Sequence, residues 1–164
     1  MRRSKGSRIR RAVVVAVCVS TFALGLATVD ATDAGVTGTD GKIRGVVFTG
    51  SSAAPTVTLS GRFSAVPPKG HNNDHPVCGD FPNNGEVFGK KFWFGDDTHH
   101  WTAGRGNPRT GSCIGIIIDS WTPTKVVFRF GSAYGSRDEW IADEGDGFAV
   151  FSKKHSFAGV VHYT

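Results

Sequence analysis

Residues 120–135 read SWTPTKVVFRFGSAYG: a tryptophan, a Thr-Pro turn, an alternating apolar run and a glycine-rich exit. Within this stretch Val126, Phe128 and Phe130 fall on one face, and Lys125, Val127 and Arg129 on the other. Such period-two alternation is the pattern of a strand with one buried side. Trp121 and the Thr-Pro then mark the corner between this strand and the one before it. The same alternation recurs in residues 56–63 (TVTLSGRF), where Val57, Leu59, Gly61 and Phe63 share a face. It returns in residues 156–163, with Phe157, Gly159, Val161 and Tyr163 on one side and Ala158, Val160 and His162 on the other. Further strands are expected at 43–49, 86–95, 113–119 and 147–152. Helical periodicity is hard to find, and Gly, Pro, Asn and Asp punctuate the runs. About seven short strands so divided predict an all-β, antiparallel sandwich or barrel.

The amino-terminal segment has a different character. MRRSKGSRIRR carries six basic residues and no acid, an uncharged run follows at 12–29, and Val29-Asp30-Ala31 has a small–x–small form. A basic head, an apolar middle and a small-residue exit predict a secretory signal peptide over residues 1–31. The strongly apolar part is short against the ~20 residues of a bilayer span, so no membrane span is expected after cleavage. Residues 32–42 (TDAGVTGTDGK) read as a flexible leader, and 43–164 as one domain. The whole chain holds 19 Lys+Arg and 14 Asp+Glu, but residues 1–31 take six and one of these, leaving a formally neutral remainder. Without clustered Lys and Arg the electrostatic footprint of a nucleic-acid binder is missing, so no nucleic-acid partner is expected. Past residue 31 only Cys78 and Cys113 remain. In an oxidising compartment an even pair reads as one disulfide.

From Ser120 to the end, SWTPTKVVFRFGSAYGSRDEWIADEGDGFAVFSKKHSFAGVVHYT resembles the last strands of IPT/TIG-like domains. APTVTLSGRFSAVPP is similar to that family's early strand and Gly-x-Phe turn, with Arg62 where a smaller residue is common. CIGIIIDSW is similar to the strand before the Ser-Trp turn. The resemblance covers about two-thirds of the chain past residue 31 and implies an immunoglobulin-like sandwich of secreted bacterial proteins. It further implies a binding, linking or display role, and it carries no catalytic residues to transfer.

Two long segments, 66–85 and 95–111, break the strand rhythm and hold most of the polar candidates. Long ordered loops in compact domains are often functional. The second contains Asp96, Asp97, His99 and His100, four potential metal ligands within five residues, followed by Trp101. In an extended loop such neighbours point apart, so no metal or other cofactor is expected there. His71 and His75 sit in a helix-breaking segment and read as solvated, and Asp143-Glu144-Gly145-Asp146 reads as an acidic hairpin turn. Trp93 alternates with Phe92 and Phe94 and is expected on the outer face. Trp93 and Trp101 with Asp96, Asp97, His99 and His100 are therefore the candidates for binding an extracellular ligand, carbohydrate or protein. The expected function is a secreted, non-catalytic binding or structural module. One alternative is a carbohydrate- or cell-wall-binding module that uses the loop Trp and Asp/His residues. The other is a small nuclease-like hydrolase, with Glu86 or Asp97 as base, His99 or His100 as partner, and Arg105 or Arg109 as anion clamp.

Overall fold

The computed structural model describes residues 42–72, 81–106, 113–153 and 155–164. The signal segment, nearly all of the leader, His75, Cys78 and Arg109 lie outside them. Ten strands follow one another: β1 Ile43–Thr49, β2 Thr56–Gly61, β3 His71–Asn72, β4 Glu86–Val87, β5 Phe92–Asp96, β6 Thr102–Ala103, β7 Ile116–Trp121, β8 Lys125–Phe130, β9 Gly147–Ser152 and β10 His155–Val160. They form one sheet in the order β1-β2-β8-β7-β4-β3 and a second in the order β10-β9-β5-β6, with neighbouring strands antiparallel in both. Taking the seven longer strands as A to G, the sheets read ABED and GFC, the arrangement of an immunoglobulin-like sandwich. Short strands β3 and β4 extend the first sheet beyond β7, and β6 extends the second beyond β5.

The alternating residues supply the core. Val57, Leu59, Val126 and Phe128 from the first sheet have no accessible surface, and neither do Phe92, Phe94 and Val150 from the second. Aromatic rings join the two layers edge to face. Phe92 meets Phe128 at 5.5 Å between centroids, Phe94 meets Phe130 at 5.0 Å and Phe48 meets Phe148 at 5.1 Å. Trp121 closes one end of this layer, against Phe63 and Phe92, and its indole N–H donates to Ser64 O at 2.8 Å.

Three expectations are corrected. Residues 86–95 are two strands, β4 and β5, in different sheets, because a turn at 88–91 carries the chain from one layer to the other. The segments read as irregular each contain a two-residue strand, β3 and β6, too short for alternation to register. The strand beginning at Thr56 ends at Gly61, where a Cβ would run into Lys42 O.

Candidate functional site

The sheet registers gather the irregular segments at one end of the sandwich. The β1–β2 hairpin, the β5–β6 hairpin, the segment after β8 and the turn before β9 all meet there, since β5, β9, β2 and β8 place residues 96, 148, 56 and 129 at that edge. Trp101 plugs this end. It is 1 % exposed, packs on Phe94, Phe130 and Tyr134, and donates its indole N–H to Ile141 O at 3.3 Å. Trp101 is therefore core and presents no face to a ligand, a correction to its place among the binding candidates. It directly follows a hairpin that turns it back onto the sheet, with Asp96 N–H donating to Trp101 O at 2.9 Å.

Trp93 stands on the outer face of the second sheet, as its alternation with Phe92 and Phe94 requires, and is partly exposed. Its ring is stacked on Phe151 of β9, with centroids 3.9 Å apart and planes 8° from parallel. The Arg105 guanidinium lies 4.7 Å from the Trp93 centroid. Arg105 follows β6, and β6 and β9 flank β5 from opposite sides, so both faces of the indole are covered. Trp93 and Trp101 consequently share no open aromatic surface. Glu86 lies on β4 of the first sheet, whereas His99 lies in the turn after β5 of the second.

The acidic and histidine candidates divide in another way. Asp97 and His100 are exposed, and His100 adopts the left-handed backbone that closes the hairpin, at φ 59°. Asp96 continues the inward parity of Phe92 and Phe94 and is buried, 2 % exposed. Its Oδ1 accepts the backbone N–H of His99 at 2.6 Å, which folds the turn and brings the imidazole back over the carboxylate. Asp146, from the turn before β9, completes the group: all three residues offer ligand atoms within 4.8 Å of one another. His99 Nδ1 is 3.3 Å from Asp146 Oδ2 and 3.7 Å from Asp96 Oδ1. The expectation that these loop side chains point apart is thus corrected for Asp96 and His99, whose i, i+3 spacing in a tight hairpin makes them converge.

Asp146 is held by its own turn. Asp143 N–H donates to Asp146 Oδ2 at 2.7 Å, Asp146 N–H donates back to Asp143 O at 3.1 Å, and Gly145 takes φ 93° between them. Burial pushes the Asp96 carboxyl up to about 6; the His99 N–H opposes the rise and the Asp146 charge adds to it. Among the described residues, Asp96 Oδ2 is the buried side-chain oxygen with no hydrogen-bond partner. Asp146 escapes notice as a partner in the sequence because it lies 50 residues from Asp96. Extending the strand parity from Phe92 to Asp96 would have flagged the inward carboxylate.

A cleft of about 370 Å³ opens at the same end, lined by Ala53, Ala54, Pro55, Asn83, Ile117 and Tyr134 among others. The phenol of Tyr134 is anchored beside it, donating to Ser52 O at 2.6 Å and accepting from Ala142 N–H at 2.9 Å. Burial raises the Tyr134 hydroxyl well above its ordinary range, and burial likewise pushes Tyr163 up to about 12. Arg129, also on the cleft wall, is paired in fork geometry with Asp119, both contacts being 2.8 Å. No helix of the described residues is long and apolar enough to cross a membrane. The chain matches no family model, and neither the curated proteins nor the solved structures gave a match.

Proposed function

We propose that the chain is a secreted module of the IPT/TIG type, closed by a Cys78–Cys113 disulfide, that binds an extracellular ligand without acting on it chemically. The observation that carries the reading is the cleft at the loop-bearing end, where apolar Ala53, Ala54, Pro55 and Ile117 stand beside the amide of Asn83 and the ring of Tyr134. Apolar walls with a few placed polar groups are the make-up of ligand sites. The guanidinium in the wall is already neutralised by Asp119, which favours an uncharged ligand such as a cell-wall saccharide. Secretion rests on the basic head and apolar run of residues 1–31.

The test is an NMR titration of the isotope-labelled protein with soluble peptidoglycan fragments and chito-oligosaccharides. Shift changes are expected at residues 53–55 and 130–134, with affinity reduced at least tenfold by Ala54→Trp, which fills the cleft. Changes centred on Trp93, Arg105 and Phe151 would move binding to the outer face of the second sheet. Shortened oligosaccharides would replace the binding reading with the hydrolase, and absence of any change would discard the saccharide.

A further inference from the structure

We propose that Asp96, His99 and Asp146 are the ligands of a divalent transition-metal ion of the zinc class. The proposal does not depend on what the cleft binds. Its first support is spacing. Ligands held at about 2.0–2.1 Å in a tetrahedron stand about 3.3–3.4 Å apart. His99 Nδ1 lies 3.3 Å from Asp146 Oδ2 and 3.7 Å from Asp96 Oδ1, and all three groups fit within 4.8 Å. The 3.7 Å separation is too long for a hydrogen bond, and the 3.3 Å one exceeds the usual range.

The second support is independent of spacing. Asp96 Oδ2 is buried and has no hydrogen-bond partner among the described residues, on a side chain with no accessible surface. A buried acceptor left unsatisfied is costly, and a second carboxylate beside it compounds the cost. A cation coordinated by the two carboxylates offsets their mutual repulsion and gives the Asp96 carboxylate a partner.

Ligand chemistry selects the ion. One imidazole with two carboxylates suits zinc and its transition-metal neighbours, whereas calcium takes six to eight oxygens. The outer contacts that orient metal ligands are also present: His99 N–H holds Asp96 Oδ1, and Asp143 N–H holds Asp146 Oδ2. His99 is 37 % exposed at the hairpin tip, so an ion has an entry path. Three protein ligands leave a fourth position to water or to a donor atom of a bound partner.

The test uses the full chain, stripped of metal with a chelator that is then removed. Calorimetric titration with ZnCl2 at pH 7.5 is expected to give one ion per chain, weakened at least tenfold by His99→Ala and by Asp146→Asn but unchanged by His100→Ala. CoCl2 is expected to give the visible absorption of a four-coordinate site, lost in His99→Ala. His99 lies in an exposed turn, so that variant remains informative if Asp146→Asn folds poorly. No zinc binding at millimolar ion, binding indifferent to both variants, or tighter binding of CaCl2 than of ZnCl2 would overturn the proposal.

Discussion

The amide of Asn84 ties together segments far apart in the chain. Its Nδ2 donates to Cys113 O at 2.7 Å, and its Oδ1 accepts from Ala133 N–H at 3.0 Å and Gly115 N–H at 3.3 Å. The backbone of Asn84 is wedged between two glycines: a Cβ at Gly115 or Gly131 would collide with Asn84 O. Removing the amide orphans buried partners on both sides, so Asn84→Ala is expected to lower the unfolding free energy by about 2–4 kcal/mol in urea titration. The two candidate tryptophans make an opposed pair. Trp101→Ala empties the plugged end and is expected to cost about 3–5 kcal/mol. Trp93→Ala removes only a stacked pair and an exposed cation–π contact, about 1–2 kcal/mol. If the larger loss fell on Trp93, the assignment of core and surface roles would be reversed.

Among the elements, the β7–β8 hairpin shows both what a period reveals and what it hides. Val126, Phe128 and Phe130 are buried as their alternation requires. What alternation could not supply is the bulge between Ile118 and Ser120, where the register shifts. Without it Ser120 would face inward; with it Trp121 does, opposite Val126, and this is why the tryptophan packs on Phe63 and Phe92. Strands with a regular face were therefore legible, while bulges and two-residue strands were not, since neither carries a period. The candidate site was half legible for a related reason. Asp96 and His99 are close in sequence, but Asp146 reaches them only through the pairing of β9 with β5. On the outer face of the same hairpin Asp119 stands beside Arg129, whose hydrogen bonds and charge hold that carboxyl below its ordinary 3.8. A carboxyl depressed in the folded state stabilises above its unfolded value and loses that contribution as pH falls through the folded one. The difference in melting temperature between the protein and Asp119→Asn is therefore expected at neutral pH, to disappear in strong acid, and to shrink in molar salt. A difference that persisted in acid would assign the effect to packing instead.

At the scale of the molecule, one set of aromatic rings serves both sheets, and among the described residues neither sheet has a separate core. Phe48, Phe94, Phe130 and Phe148 touch across the layers at one end, and Phe92 meets Phe128 and Trp121 at the other. Losing either sheet exposes the apolar face of the other, so unfolding is expected to be cooperative. Tryptophan fluorescence and far-ultraviolet circular dichroism should give coincident urea transitions, and a separate early fluorescence step would mean that one end opens alone. The proposed Cys78–Cys113 bond acts on the same transition. Cys113 is buried against this core, and Cys78 lies outside the described residues. Closing a loop of about 36 residues restricts the unfolded chain by roughly 4 kcal/mol in the chain-entropy model. Reductant should therefore move the single midpoint downward without splitting it, and alkylation should label both cysteines only after reduction. Two thiols that react in the unfolded, unreduced chain would remove the bond, and the core alone would then account for the measured stability.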